Sequence, residues 1–150
     1  MVIKQVHPTD VQVGTLIEKL NQYQVGLYGV DACNLETAES LEKNKAYMLG
    51  AYVEEVLVGI GAVKLLEGYA EIKRMYVVES YRGLAIAESI LHTLEAYVQQ
   101  SGIDRIFLET GYLHHAAISF YKKLGYAQVE SFGTYKPNQV SVYFGKTLHA

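Results

Sequence analysis

The stretch most suited to chemistry spans residues 70–87. An extended segment, Ala70-Glu71-Ile72-Lys73-Arg74-Met75-Tyr76-Val77-Val78, turns through Glu79-Ser80-Tyr81 into a helix opened by Gly83, Ala85 and Ala87. A helix N-terminus leaves about four amide N–H groups unpaired and carries roughly half a positive charge. A phosphate fits there when no bulky side chain blocks its approach. Gly83, Ala85 and Ala87 keep that approach open, and Arg82 adds a guanidinium fork matched to phosphate oxygens. The same small residues also serve close packing of a helix on a sheet, so spacing alone leaves both readings open.

Other chemistries are excluded by what the chain lacks. There is no G-x-x-x-x-G-K-S/T loop, no G-x-G-x-x-G fingerprint and no G-x-S-x-G elbow. His114 and His115 are adjacent and point apart on a helix, while His7, His92 and His149 stand alone, so no metal site is expected. The single Cys33 has no disulfide partner and no neighbour that would activate it. With 13 Lys+Arg against 16 Asp+Glu the net charge is -3, which gives no general attraction to nucleic acid or anionic membrane. No apolar run approaches the roughly 20 residues of a membrane span. The opening Met1-Val2-Ile3-Lys4-Gln5-Val6 alternates like a strand rather than a signal peptide. Half of the 150 residues are hydrophobic, enough for one core. The expectation is a cytoplasmic protein with a single domain over residues 1–150.

Those residues need a scaffold, and the periodicity supplies one. A strand covers residues 2–6, and Thr9 with Gln12 reads as a capping box for a helix striped by Val13, Leu16, Ile17 and Leu20. A weaker helix carries Leu35, Ala38 and Leu41 on one face. Strands follow over residues 47–53 and 56–66, joined near Glu54-Glu55, and a third covers residues 69–78. Leu84, Ala87, Ile90, Leu91, Leu94 and Val98 form the strongest helical stripe, ended by Gly102. A strand over residues 105–110, a helix over 114–124 and strands over 126–131 and 140–145 complete the chain. The order β-α-α-β-β-β-α-β-α-β-β defines an α/β fold.

The run Arg82-Gly83-Leu84-Ala85-Ile86-Ala87 resembles the acyl-CoA-binding motif of the GNAT superfamily of N-acetyltransferases, Gln/Arg-x-x-Gly-x-Gly/Ala, with Ala85 at the usual glycine. The run from His114 to Tyr126 is similar to a second family signature, Asn-x-x-Ala-x-x-Phe/Leu-Tyr-x-x-x-Gly-Phe, with His114 at the Asn position. Residues 71–77, 108–111 and 132–135 also look like a bacterial branch of that superfamily, so the resemblance covers essentially the whole chain. It implies a splayed, mostly antiparallel sheet flanked by helices. Acetyl-CoA would lie in a V between the strand ending at Val78 and the strand ending at Thr110. Backbone groups of Met75, Tyr76 and Val77 would pair with the pantetheine arm. Amides of Gly83, Leu84, Ala85, Ile86, Ala87 and Glu88 would hold the pyrophosphate beside Arg82, with His114 in the cofactor motif. The Ala85 methyl would narrow the backbone's approach to the phosphates and weaken binding.

Acetyl transfer to an amine sets a proton problem. An alkyl amine of pKa about 10.4 is mostly ammonium at pH 7, and freeing its lone pair costs about 4.6 kcal/mol. The site needs a base for that proton and an acid for the leaving thiolate. The resemblance implies Tyr121 as the acid near the CoA sulfur and a carboxylate base at Glu71 or Glu109. Strand alternation puts Glu109 with Phe107, away from Ile106 and Leu108, and puts Glu71 with Lys73 and Met75. Lys73 also allows a plain ion pair with Glu71. The resemblance places the acceptor against residues 26–34 and 132–135, where Tyr28, Asp31, Asn34 and Tyr135 could touch substrate and Asp31 could face an ammonium.

The expected activity is transfer from acetyl-CoA to a primary amine of a small molecule or amino-acid-like substrate. Without an activated Cys or Ser, direct attack is expected rather than an acyl-enzyme. Two alternatives stand: a catalytically silent acyl-CoA-binding module, motivated by Ala85 and His114, and a protein N-acetyltransferase with an open acceptor groove. The alternating run over residues 140–145, placed at a sheet edge, would favour a homodimer.

Overall fold

The structure, a computed structural model, describes residues 1–29 and 37–149. Its elements are β1 (Val2–Gln5), α1 (Val11–Tyr28), α2 (Ala38–Lys43), β2 (Tyr47–Val53), β3 (Val56–Leu65), β4 (Ala70–Val77), a 3-10 turn (Glu79–Tyr81), α3 (Ile86–Gln100), β5 (Arg105–Gly111), α4 (His115–Lys123), β6 (Ala127–Val129) and β7 (Ser141–Thr147). The order matches the periodicity. The strands form one sheet ordered β1-β2-β3-β4-β5-β7-β6, antiparallel at every junction except β4–β5.

The sheet is covered on both sides, because its strands alternate between two apolar sets. On one side α3 and α4 pack Ile90, Leu94 and Tyr121 against Val58, Ile72, Ile106, Leu108 and Phe144. On the other, Val13, Leu16 and Ile17 of α1 and Leu41 of α2 meet Met48 and Ile60. The β2–β3 turn falls at Glu54 and Glu55, both at positive φ, 50° and 68°, as a tight hairpin requires.

Three expectations are corrected. The cap of α1 is Asp10, whose carboxylate accepts from the amides of Gln12 and Val13, and not Thr9. Asp10 is the stronger acceptor and carries the charge favoured at a helix N-terminus. Helix α3 begins at Ile86, so Leu84 lies before it and is 63% exposed, while Ile86 takes the buried position. Strand β7 is interior, between β5 and β6. The sheet edges are β1 and β6, which removes the stated reason for a homodimer. Leu35 of the weaker helix and Cys33 lie outside the described residues, and α2 itself is capped by the Thr37 hydroxyl.

Candidate active site

Strands β4 and β5 run parallel but pair only at Ala70–Ile106 and Glu71–Phe107. Beyond Glu71 they diverge, leaving a wedge whose apex is Glu71 and whose mouth opens toward the start of α3. The β4 backbone along this wedge has β3 on one side and no β5 partner on the other. Unpaired peptide groups there need hydrogen-bond partners, which an extended ligand can supply. The three expected backbone contacts are not equivalent. Val78 N–H donates to Val58 O, so ladder alternation makes Tyr76–Ile60 the next bonded pair and turns Tyr76's peptide groups toward β3. The Val77 carbonyl points away from β3 and accepts from Arg82 Nε at 2.9 Å.

A bulge in β4 breaks the alternation. Ile60 pairs with Tyr76 and Ala62 with Lys73, so two β4 residues oppose Gly61, and Arg74 adopts φ 54°. Met75 therefore does not share a face with Glu71 and Lys73. Its sulfur sits against Gly61 on the α3 side, beside Ile90, where a glycine Cβ would come within 2.4 Å of it. Arg74, buried, reaches the opposite way to α1, donating to Ile17 O at 3.2 Å, Gln24 Oε1 at 3.2 Å and Asn21 Oδ1.

At the wedge mouth, α3 starts without a side-chain cap, leaving its first-turn amides for a ligand. Ala85 is the residue before the helix and sits in the left-handed region at φ 61°, ψ 19°. Its position demands the conformation that glycine adopts without strain. The Arg82 guanidinium lies 5.5 Å from the centre of the Tyr76 ring, at the same mouth.

The carboxylates and tyrosines take distinct places. Glu71 is buried; Tyr135 Oη donates to its Oε2 at 2.6 Å, and Lys73 Nζ lies 3.2 Å from the same oxygen. Lys73 also donates to Tyr135 Oη at 2.7 Å, closing a three-group ring. Glu109 shares a face with Phe107 as expected, and its Oε2 accepts from Ser141 Oγ at 2.7 Å. Tyr121 lies on the opposite side of the sheet, with the α3–α4 core, and burial pushes its pKa well above the usual tyrosine value.

His114 precedes α4 and is half-buried. Its ring stacks on Tyr23 of α1 at 4.8 Å, and its Nδ1 lies 3.1 Å from Thr110 Oγ1. Burial first, and the Arg82 charge second, lower its pKa. Tyr28 Oη accepts from the Leu113 amide at 2.8 Å, so it ties α1 to the β5–α4 turn. Burial raises its pKa. Asp31 and Asn34 lie outside the described residues. Arg74, Tyr23 and Lys73 emerge as site-shaping residues that the motifs did not single out. Period-2 alternation at Glu71 was the one signal that pointed at Lys73.

Comparison with known proteins settles the lineage. A family model, Acetyltransferase (GNAT) family, matches residues 15–126. The chain belongs to the GNAT family of acetyltransferases. The IAA acetyltransferase of Azospirillum brasilense is 32% identical over 148 residues, covering 97% of each chain. A Klebsiella pneumoniae protein assigned as an acyl-CoA N-acyltransferase superposes with a TM-score of 0.84 at 31% identity, over 99% of this chain and 97% of that one. At the level of fold alone, the PaiA N-acetyltransferase of Thermoplasma acidophilum, solved with coenzyme A, superposes with a TM-score of 0.69 at 22% identity, over 98% of this chain and 99% of that one.

This GNAT chain fits an acyl-CoA on its own geometry. The uncapped α3 start and Arg82 suit a pyrophosphate, and the open β4 edge suits an extended amide-bearing arm. Among the described residues no group of three His, Cys, Asp or Glu is arranged to hold a metal, and no helix is long and apolar enough to cross a membrane.

Proposed function

We propose that this acetyltransferase modifies the primary amine of a small, amino-acid-like molecule by direct attack, acting in the cytoplasm as one unit over residues 1–150. The observation that carries the reading is the wedge apex. There Glu71 and, two residues beyond its partner Phe107, Glu109 share one face. Tyr121, in the core on the opposite side of the sheet, is assigned to the departing sulfur. The relative named IAA acetyltransferase supports a small-molecule acceptor.

When bound, acetyl-CoA supplies a thioester carbonyl and a thiolate leaving group. Arg82 and the amides from Gly83 to Glu88 hold the pyrophosphate, and Met75 and Val77 rather than Tyr76 offer backbone to the arm. Glu71 or Glu109 takes the ammonium proton. The amine nitrogen bonds to the acetyl carbon as the C–S bond breaks, and the sulfur keeps the electron pair. Of the two protons that leave nitrogen, one ends on sulfur and one in solvent. Tyr121 holds its proton at neutral pH, because burial raises its pKa. It is thereby a weaker acid than a thiol of pKa about 8.5, so its part is to donate a hydrogen bond to the developing thiolate rather than give the proton up. His114 flanks the mouth as a neutral ring.

A panel of amines and amino acids with acetyl-CoA, read by release of the CoA thiol, tests this. Turnover with at least one free small-molecule amine is expected. If acetyl-CoA binds but only peptide or protein amines are acetylated, the small-molecule reading fails.

A further inference from the structure

Resting on that reading, we propose that Lys73 selects the acceptor: the substrate carries an anionic group beside its amine, so the class is zwitterionic, as in free amino acids, and simple cationic amines are poor acceptors. The ring at the wedge apex is the starting point. Lys73 Nζ and Tyr135 Oη both engage the same Glu71 oxygen, at 3.2 and 2.6 Å, and each other at 2.7 Å. The Glu71 and Lys73 side chains are only 8% and 14% exposed, so their charges are poorly screened by solvent. Tyr135 reaches them from the segment between β6 and β7, its ring held by Phe132 at 5.1 Å and Tyr143 at 5.7 Å.

A bare ammonium approaching Glu71 meets the Lys73 charge at the same oxygen, so repulsion offsets much of the attraction. An amine with a neighbouring carboxylate has no such conflict. Its ammonium replaces Lys73 at Glu71, while its carboxylate receives Lys73 and the Tyr135 hydroxyl. Each of the four charges then has a partner, which a nearly buried site requires. The exchange also frees Glu71 from Lys73 at the moment an ammonium proton must be accepted.

The test compares matched pairs of acceptors: phenylalanine with phenethylamine, leucine with 3-methylbutylamine, lysine with 1,5-diaminopentane. Thiol release should show kcat/KM favouring the carboxylate-bearing member by about tenfold or more, the size of one charge-assisted contact. In Lys73→Met the ratio should collapse to within about twofold, and in Lys73→Arg, which keeps the charge, much of it should remain. The same pairs titrated calorimetrically into the CoA-saturated protein read recognition without turnover. Decarboxylated amines equal to or better than amino acids in the unmodified protein overturn the inference, as does a preference that survives Lys73→Met. A carboxylate preference in binding with no thiol release from any pair overturns the catalytic reading and leaves the recognition intact.

Discussion

The proposed mechanism rests on Tyr121 and on a carboxylate at Glu71 or Glu109, and single-atom changes separate their parts. Tyr121→Phe removes one hydroxyl and keeps the packing against Phe120 and Tyr126, whose ring centres lie 5.1 and 5.5 Å away. Turnover should fall about 100-fold, the lower end for losing one hydrogen-bond donor to developing negative charge, with acetyl-CoA affinity unchanged in a titration. Retained turnover would make Tyr121 a core tyrosine. Glu71→Gln and Glu109→Gln, measured across pH, identify the base: the variant that matters loses most rate near neutrality and recovers as rising pH frees the amine. Ala85→Gly should stabilise the fold by about 1 kcal/mol, because the alanine is held left-handed. Denaturant unfolding reads this independently of any gain in cofactor affinity. Ala85 was legible because a motif marks it, and Glu71 and Glu109 enter the proposal through the family resemblance of the strands that carry them. Arg74 was not, since its importance comes from a bulge, and nothing in Lys73-Arg74-Met75 marks where two residues will oppose one. Glu95 escaped for a similar reason. It reads as one polar position on an amphipathic helix, yet it is buried against Tyr126 Oη at 2.7 Å and Lys146 Nζ at 3.2 Å.

At the scale of elements, α1 is fastened across the wedge to the β5–α4 turn. Tyr23 stacks on His114, and Tyr28 accepts from Leu113. Gly111 permits this, since a Cβ there would lie 2.0 Å from Tyr28 Oη. Gly111→Ala should cost about 1–3 kcal/mol in chemical unfolding, as overpacking does. Combined with Tyr28→Ala, the two effects should be less than additive, because the obstacle is then gone. The His114 contact predicts a pH effect of definite sign. Its pKa is lowered from the ordinary 6.5 in the folded chain, so the unfolded chain binds the proton more readily. Above pH 6.5 the group contributes nothing to pH dependence. Stability should fall as pH drops below 6.5 toward the folded pKa, and His114→Asn should flatten that part of the curve. Element order, the β2–β3 hairpin and the buried stripes were legible from periodicity. Positions of helix starts were not: Thr9 and Asp10 are both good caps, and Leu84 fits the α3 stripe although the backbone turns left-handed at Ala85 before the helix begins.

At the scale of the whole molecule, the ligand should behave as part of the fold. Acetyl-CoA at 100 times its dissociation constant adds about 2.7 kcal/mol, or roughly 5–10 °C in Tm for a chain of this size. NADH and ATP should give smaller shifts, and no shift with any acyl-CoA would remove the cofactor assignment. The sheet itself suggests why the coupling should be strong. Two residue pairs are all that join β4 to β5, against seven between β5 and β7. That junction is a mechanical seam. Pulled apart at its two sides, the molecule should yield there first, by unzipping at low force, with α3 and its core contacts as the remaining tether. A bound acyl-CoA laid along β4 would act as a rivet, so the rupture force should report occupancy, rising with acetyl-CoA while distant strands keep their strength.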